Sequence, residues 1–195
     1  MTTSGRIELM APAGNFESMQ AALDNGCDSI YFGVEQLNMR ARATVNFVLD
    51  DLPEIARRCN EKNVRTYLTL NTIIYDHDLS IVKTLLTKAK EAGITAVIAS
   101  DQAVIMSART IGMEVHISTQ LNVTNIETVK FYAMFADTIV LSRELSLRQV
   151  KKITDDIEKE QVKGPSGNLV EIEIFGHGAL CMAVSGKCYL SLHSH

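Results

Sequence analysis

With 195 residues, 46% of them hydrophobic, the chain can bury a sizeable core, which excludes an intrinsically disordered protein. A net charge of -4 excludes the broad positive field of a protein that grips nucleic acid unaided, so any basic surface for RNA must be local or lie elsewhere. The opening MTTSGRIELMAPAG lacks the basic and apolar blocks of a signal peptide, and no run approaches ~18 apolar residues, so the expected location is the cytoplasm, away from any membrane.

Seven short runs rich in β-branched residues follow one another: IELMAP (7–12), SIYFGV (29–34), VRTYLTLN (64–71), AVIAS (96–100), EVHIST (114–119), TIVLS (138–142) and VEIEIFG (170–176). Helical periodicities separate them. Leu52, Ile55, Ala56 and Cys59 share one helical face, and Ile81, Leu85, Leu86 and Ala89 are expected to share another. Near-continuous apolar strands alternating with amphipathic helices predict a parallel sheet covered by helices. The strand spacing of roughly 20 to 35 residues suits a parallel (β/α)8, TIM-barrel-like domain of about 250 residues. Residues 1–195 are therefore expected to form one barrel-like catalytic domain, truncated after its seventh strand. The edge left open would favour a homodimer. Lys163 to Asn168, rich in Gly, Pro and Ser, is expected to be a surface turn.

Parallel α/β barrels place their reacting groups at the C-terminal ends of the strands. Asn15, Arg40, Arg42, Asn46, Asn71, Ser100, Asp101, Thr119, Gln120, Asn122, Arg143, Glu144 and His177 all end or follow predicted strands. For Asn15, Ser100, Asp101 and Asn125, capping of the next helix is the stronger reading. Capping accounts poorly for Arg40, Arg42, Gln120, Arg143 and Glu144. Three arginines at one mouth suit a small anionic substrate, although Arg143 and Glu144 could equally pair with each other or with neighbours. His177 stands between two glycines and is placed to transfer a proton or to fix its loop. His177, Arg143, Glu144 and Gln120 form the candidate catalytic set, and Asn46, Asn71, Asp101 and Asn122 the candidate substrate-binding set beside Arg40 and Arg42.

Cys27 and Cys59 read as small buried hydrophobes. Cys181 and Cys188 differ, because they lie in ALCMAVSGKC beyond the seventh strand and hence at the expected mouth. Their C-x6-C spacing is a weak metal signal, and a four-iron cluster needs about four ligands. A redox pair or a reactive nucleophile, helped by Lys187 and His177, is the rival reading.

The segments APAGNFESMQAALDNGCDSIYFG (11–33), NMRARATVNF (38–47), TLNT (69–72), HISTQLNVTN (116–125), LSRELSL (141–147) and EIFGHGALCMAVSGKCYLS (173–191) together resemble the collagenase-like U32 peptidase family. The last segment is the most specific. The resemblance implies a barrel-like catalytic domain and, in the RNA- and quinone-hydroxylating branches, a [4Fe-4S] cluster on four cysteines. Cys181 and Cys188 match the first two of these, and the other two would lie past His195. The wording RELSL with GHGALCMAVSGKC is most similar to the branch that hydroxylates the wobble uridine of tRNA, with prephenate as a co-substrate that Arg40, Arg42 and Arg143 would suit. A peptidase with Cys181 as nucleophile and His177 as base ranks second, since G-x-S-x-G, H-E-x-x-H and papain-type signatures are absent. A non-catalytic binding module ranks third.

Overall fold

The computed structural model describes residues 7–34, 47–178 and 183–186, and within them the seven apolar runs become seven parallel strands. They are β1 (Met10–Pro12), β2 (Ser29–Phe32), β3 (Arg65–Leu70), β4 (Ala96–Ala99), β5 (Glu114–Ile117), β6 (Thr138–Val140) and β7 (Glu171–Glu173), each paired to the next in sequence order. Every strand is shorter than its apolar run, because the outer residues of the run are spent on turning the chain. Six helices, among the described residues, make the crossovers: α1 (Phe16–Asp24), α2 (Leu52–Glu61), α3 (Leu79–Ala92), α4 (Gln102–Thr110), α5 (Ile126–Ala133) and α6 (Leu147–Glu160). The sheet curls into a partial barrel with β1 and β7 at its two margins.

Strand pleating divides the sheet into two faces of different character. The outward face, with Ile30, Phe32, Leu68, Leu70, Val97 and Ile117, packs against helix residues such as Met19, Ile55 and Leu86 in one apolar core. In α2 the buried stripe is Leu52, Ile55, Ala56 and Cys59, as the sequence predicts. In α3 it is Val82, Leu85, Leu86 and Ala89, and Ile81 is exposed. That expectation fails because, at 100° per residue, Ile81 falls about 90° from the centre of the stripe. The inward face carries Met10, Tyr31, Tyr67, Ala96 and Ile98 in a separate small cluster. The strand register puts Arg65, Glu114, His116, Thr138 and Glu173 on that same side.

Capping fixes where several helices begin. Asn15 Oδ1 accepts the Ser18 N–H at 2.8 Å, Asp101 Oδ1 the Ala103 N–H at 2.8 Å, and Asn125 Oδ1 the Thr128 N–H at 3.0 Å. Each satisfies an otherwise orphaned helical N–H, an effect of about 1 kcal/mol. Ser100 does not cap; Asp101, one residue later, takes that position in α4. Residues 164–167 form the expected surface turn, closed by the Gly167 N–H on the Gly164 carbonyl at 3.0 Å. Glycine is required at 164, since a Cβ there would meet the Asp137 Cα at 2.8 Å. Cys27 and Cys59 are buried, and burial pushes the Cys59 thiol up to about 11.

Candidate functional site

The C-terminal ends of β5 and β6 converge on a two-residue turn, Ser185–Gly186, that lies between Cys181 and Cys188 in sequence. Two loops supply the groups that hold it. After β5 the chain enters a short 3-10 turn, Thr119–Leu121, capped by Ser118, whose Oγ accepts the Gln120 N–H at 3.3 Å. The turn ends at Asn122 in the left-handed region, φ 54°. After β6, Ser142 donates its backbone N–H to the Val123 carbonyl at 3.0 Å and its hydroxyl to Asn122 Oδ1, so the two loops are stitched together.

Ser185 is fully buried at this junction. Its N–H donates to Glu144 Oε1 at 2.8 Å, and its Oγ lies 3.3 Å from the Arg143 N–H and 3.4 Å from the Thr119 hydroxyl. Gly186 follows with φ +74°, and a Cβ there would meet the Gln120 carbonyl oxygen at 2.4 Å, so only glycine fits both the backbone conformation and the space. Partial burial pushes the Glu144 carboxyl up. Hydrogen bonds from the N–H groups of Ser185 and Glu144 and from the Ser185 and Ser142 hydroxyls outweigh it, and the net direction is down from 4.5. Arg143 also lays its guanidinium 5.8 Å from the centre of the half-exposed Phe175 ring. Among the described residues Arg143 and Glu144 form no ion pair with each other; both turn to Ser185 instead.

The structure thus brings Gln120, Asn122, Arg143 and Glu144 together through backbone and hydroxyl groups. Asn71 and Asp101 stand at the β3 and β4 side of the same rim. Both carboxylate oxygens of Asp101 are engaged, Oδ1 by Ala103 and Oδ2 by the Ile74 N–H at 3.2 Å. His177 is exposed, four residues past β7, and its ring has no hydrogen-bond partner among the described residues. Arg40, Arg42, Asn46, Cys181 and Cys188 lie outside the described residues.

Sequence reasoning missed Ser185. It also missed His116, buried on the inward face beside Glu114 and Glu173. The Glu114-x-His116 spacing on a strand was the available signal, since i and i+2 point to one side.

The family model for Peptidase family U32 matches residues 14–195. The chain is 54% identical over 189 residues to "Collagenase" of Porphyromonas gingivalis strain W83, covering 97% of this chain and 46% of that protein. It is 34% identical over 189 residues to "tRNA hydroxylation protein P" of Helicobacter pylori strain 26695, covering 95% and 42% respectively. The chain therefore spans a little under half the length of these relatives. Among solved structures, "The Structure of the U32 Peptidase Mk0906" superposes with a TM-score of 0.64 at 14% identity, over 89% of this chain and 70% of that one. That likeness concerns the fold.

Proposed function

The chain belongs to peptidase family U32, and on that premise we propose that it is the cysteine-bearing part of an enzyme that hydroxylates the wobble uridine of tRNA in the cytoplasm. The observation that carries this reading is the convergence of Thr119, Arg143 and Glu144 on Ser185. These groups hold the middle of the C-x6-C loop at the barrel mouth, which is the service a loop of metal-binding thiolates needs. The similarity to a tRNA hydroxylation protein, along almost the whole chain, supports the same direction.

No three His, Cys, Asp or Glu side chains gather as a metal site among the described residues. Thiolates are the donors a [4Fe-4S] cluster takes, so Cys181 and Cys188 would hold it with two further thiolates from outside residues 1–195. When bound, such a cluster supplies one-electron chemistry. Arg143, with Arg40 and Arg42, would bind a small dicarboxylate such as prephenate, because a guanidinium offers two parallel donors to each carboxylate. Gln120 would orient that substrate, and Asn46, Asn71 and Asn122 would add neutral hydrogen bonds. Exposed His177 would be the proton-transfer residue of this set.

Anaerobic purification of the full-length protein, with iron and sulfide analysis and mass spectrometry of its tRNA nucleosides, tests the proposal. Bound iron and loss of hydroxylation in Cys181→Ser are expected. Iron-free protein, or unchanged hydroxylation in that variant, overturns it.

The 54% identity to a protein named a collagenase favours one rival, a peptidase with Cys181 as nucleophile and His177 as base. It predicts gelatin cleavage that Cys181→Ala abolishes and that iron chelation leaves untouched.

A further inference from the structure

The inward face of the sheet carries a polar layer that the mouth does not use. Alternate strands supply it, as in the packed layers of a closed barrel. Glu8, just before β1, accepts a hydrogen bond from the Tyr67 hydroxyl of β3 at 2.8 Å and pairs with Arg65. The Tyr67 ring lies 4.5 Å from the imidazole of His116 on β5. His116 Nε2 stands 3.3 Å from Glu114 Oε1, and Nδ1 stands 3.9 Å from Glu173 Oε2 on β7. The His116 side chain is 4% exposed.

Both ring nitrogens of His116 therefore face carboxylate oxygens. A neutral imidazole carries one N–H and one lone pair, so one nitrogen would turn its lone pair against a carboxylate. Only the cation presents a donor to each side. Nδ1 and Glu173 Oε2 are both buried without a hydrogen-bond partner, and each faces the other across a gap just beyond hydrogen-bond reach. Titratable groups reach His116 from three strands: Glu114 from its own, Glu173 from β7 and Tyr67 from β3, with Arg65 and Glu8 one contact further. Its register neighbours on β4 and β6 are the uncharged Ile98 and Thr138.

We infer that His116 is a positioning residue: as an imidazolium between Glu114 and Glu173 it fastens β7, the strand that leads into the signature loop, to the inside of the barrel. The ladder gives β7 only three paired residues with β6, and Ile172 packs on the helix side, so the charge pair of His116 and Glu173 adds a hold across the interior. Burial pushes the His116 pKa down, the two carboxylates push it up, and the net direction is up from 6.5. The fastening is thus fully present below about 6.5, the unfolded value, and is released as pH rises through the higher folded value. This holds whichever chemistry the mouth performs.

Histidine NMR of the intact protein, assigned with His116→Gln, tests the inference together with amide exchange at Leu141, whose N–H donates to the Glu173 carbonyl of β7 at 3.0 Å. The His116 resonance is expected to titrate above 6.5, and Glu173→Gln to lower that pKa while leaving the ring in place. Corrected for intrinsic rates, exchange at Leu141 should accelerate at least tenfold as pH rises through the His116 pKa, and this acceleration should vanish in His116→Gln. A His116 pKa at or below 6.5, or an unaltered pH profile of exchange in either variant, overturns the inference. Should His116→Gln fail to fold, the Glu173→Gln pKa and exchange profile decide alone.

Discussion

The two faces of one sheet follow different rules. Outward, toward the helices, Leu68, Leu70, Val97 and Ile117 bury apolar surface with no polar group to satisfy. Inward, Arg65, Glu114, His116 and Glu173 are gathered, and the buried His116 ring is tolerable there only because carboxylates face it. The outward face supplies stability by area, and many of its residues could be exchanged for others of similar volume. The inward face and the mouth supply position, through contacts between particular polar groups.

The sharpest way to break this comparison is to remove volume from one side and a single contact from the other. Leu68→Ala, at a fully buried outward position, should cost about 2–5 kcal/mol and lower the urea midpoint of the whole domain with an unchanged slope. Gly186→Ala should cost less, about 1–3 kcal/mol, because it strains one turn at φ +74° and pushes against the Gln120 carbonyl. Its effect should be local: amide exchange at Ser185 should accelerate far more than at Leu68. Equal acceleration at both sites would erase the distinction between area and position.

The smallest effect should come from Glu144. Glu144→Gln keeps an oxygen for the Ser185 N–H and should barely move the Ser185 exchange rate, whereas Glu144→Ala should raise it severalfold. The wild-type carboxyl has its pKa lowered in the fold. Its contribution is therefore present above 4.5 and lost as pH falls through the folded value, a dependence that Glu144→Gln should abolish.

The outward face was the legible part of the sequence, because period and burial there are the same fact. Seven apolar runs gave seven strands, and the α2 stripe appeared residue for residue. The failure at Ile81 is one of helical phase, fixed by where α3 starts after the 3-10 turn Asp76–Asp78. The mouth was legible in kind but not in partnership: Arg143 and Glu144 stood out, yet their common partner Ser185 is more than forty residues away. His116 escaped notice because a period-two reading takes EVHIST as a single apolar run, and the pairing of its ring depends on β7, which no local pattern reveals.

Asp101 illustrates what such pairings do to motion. One carboxylate is bonded both to the start of α4 and to the Ile74 N–H in the loop after β3, so those two stretches of the rim share a rivet. Neither can swing outward without tearing a bond to the other. A visitor crossing that side of the barrel would meet a stiff doorframe, and discrimination there would come from shape already in place rather than from a gate that shuts behind it.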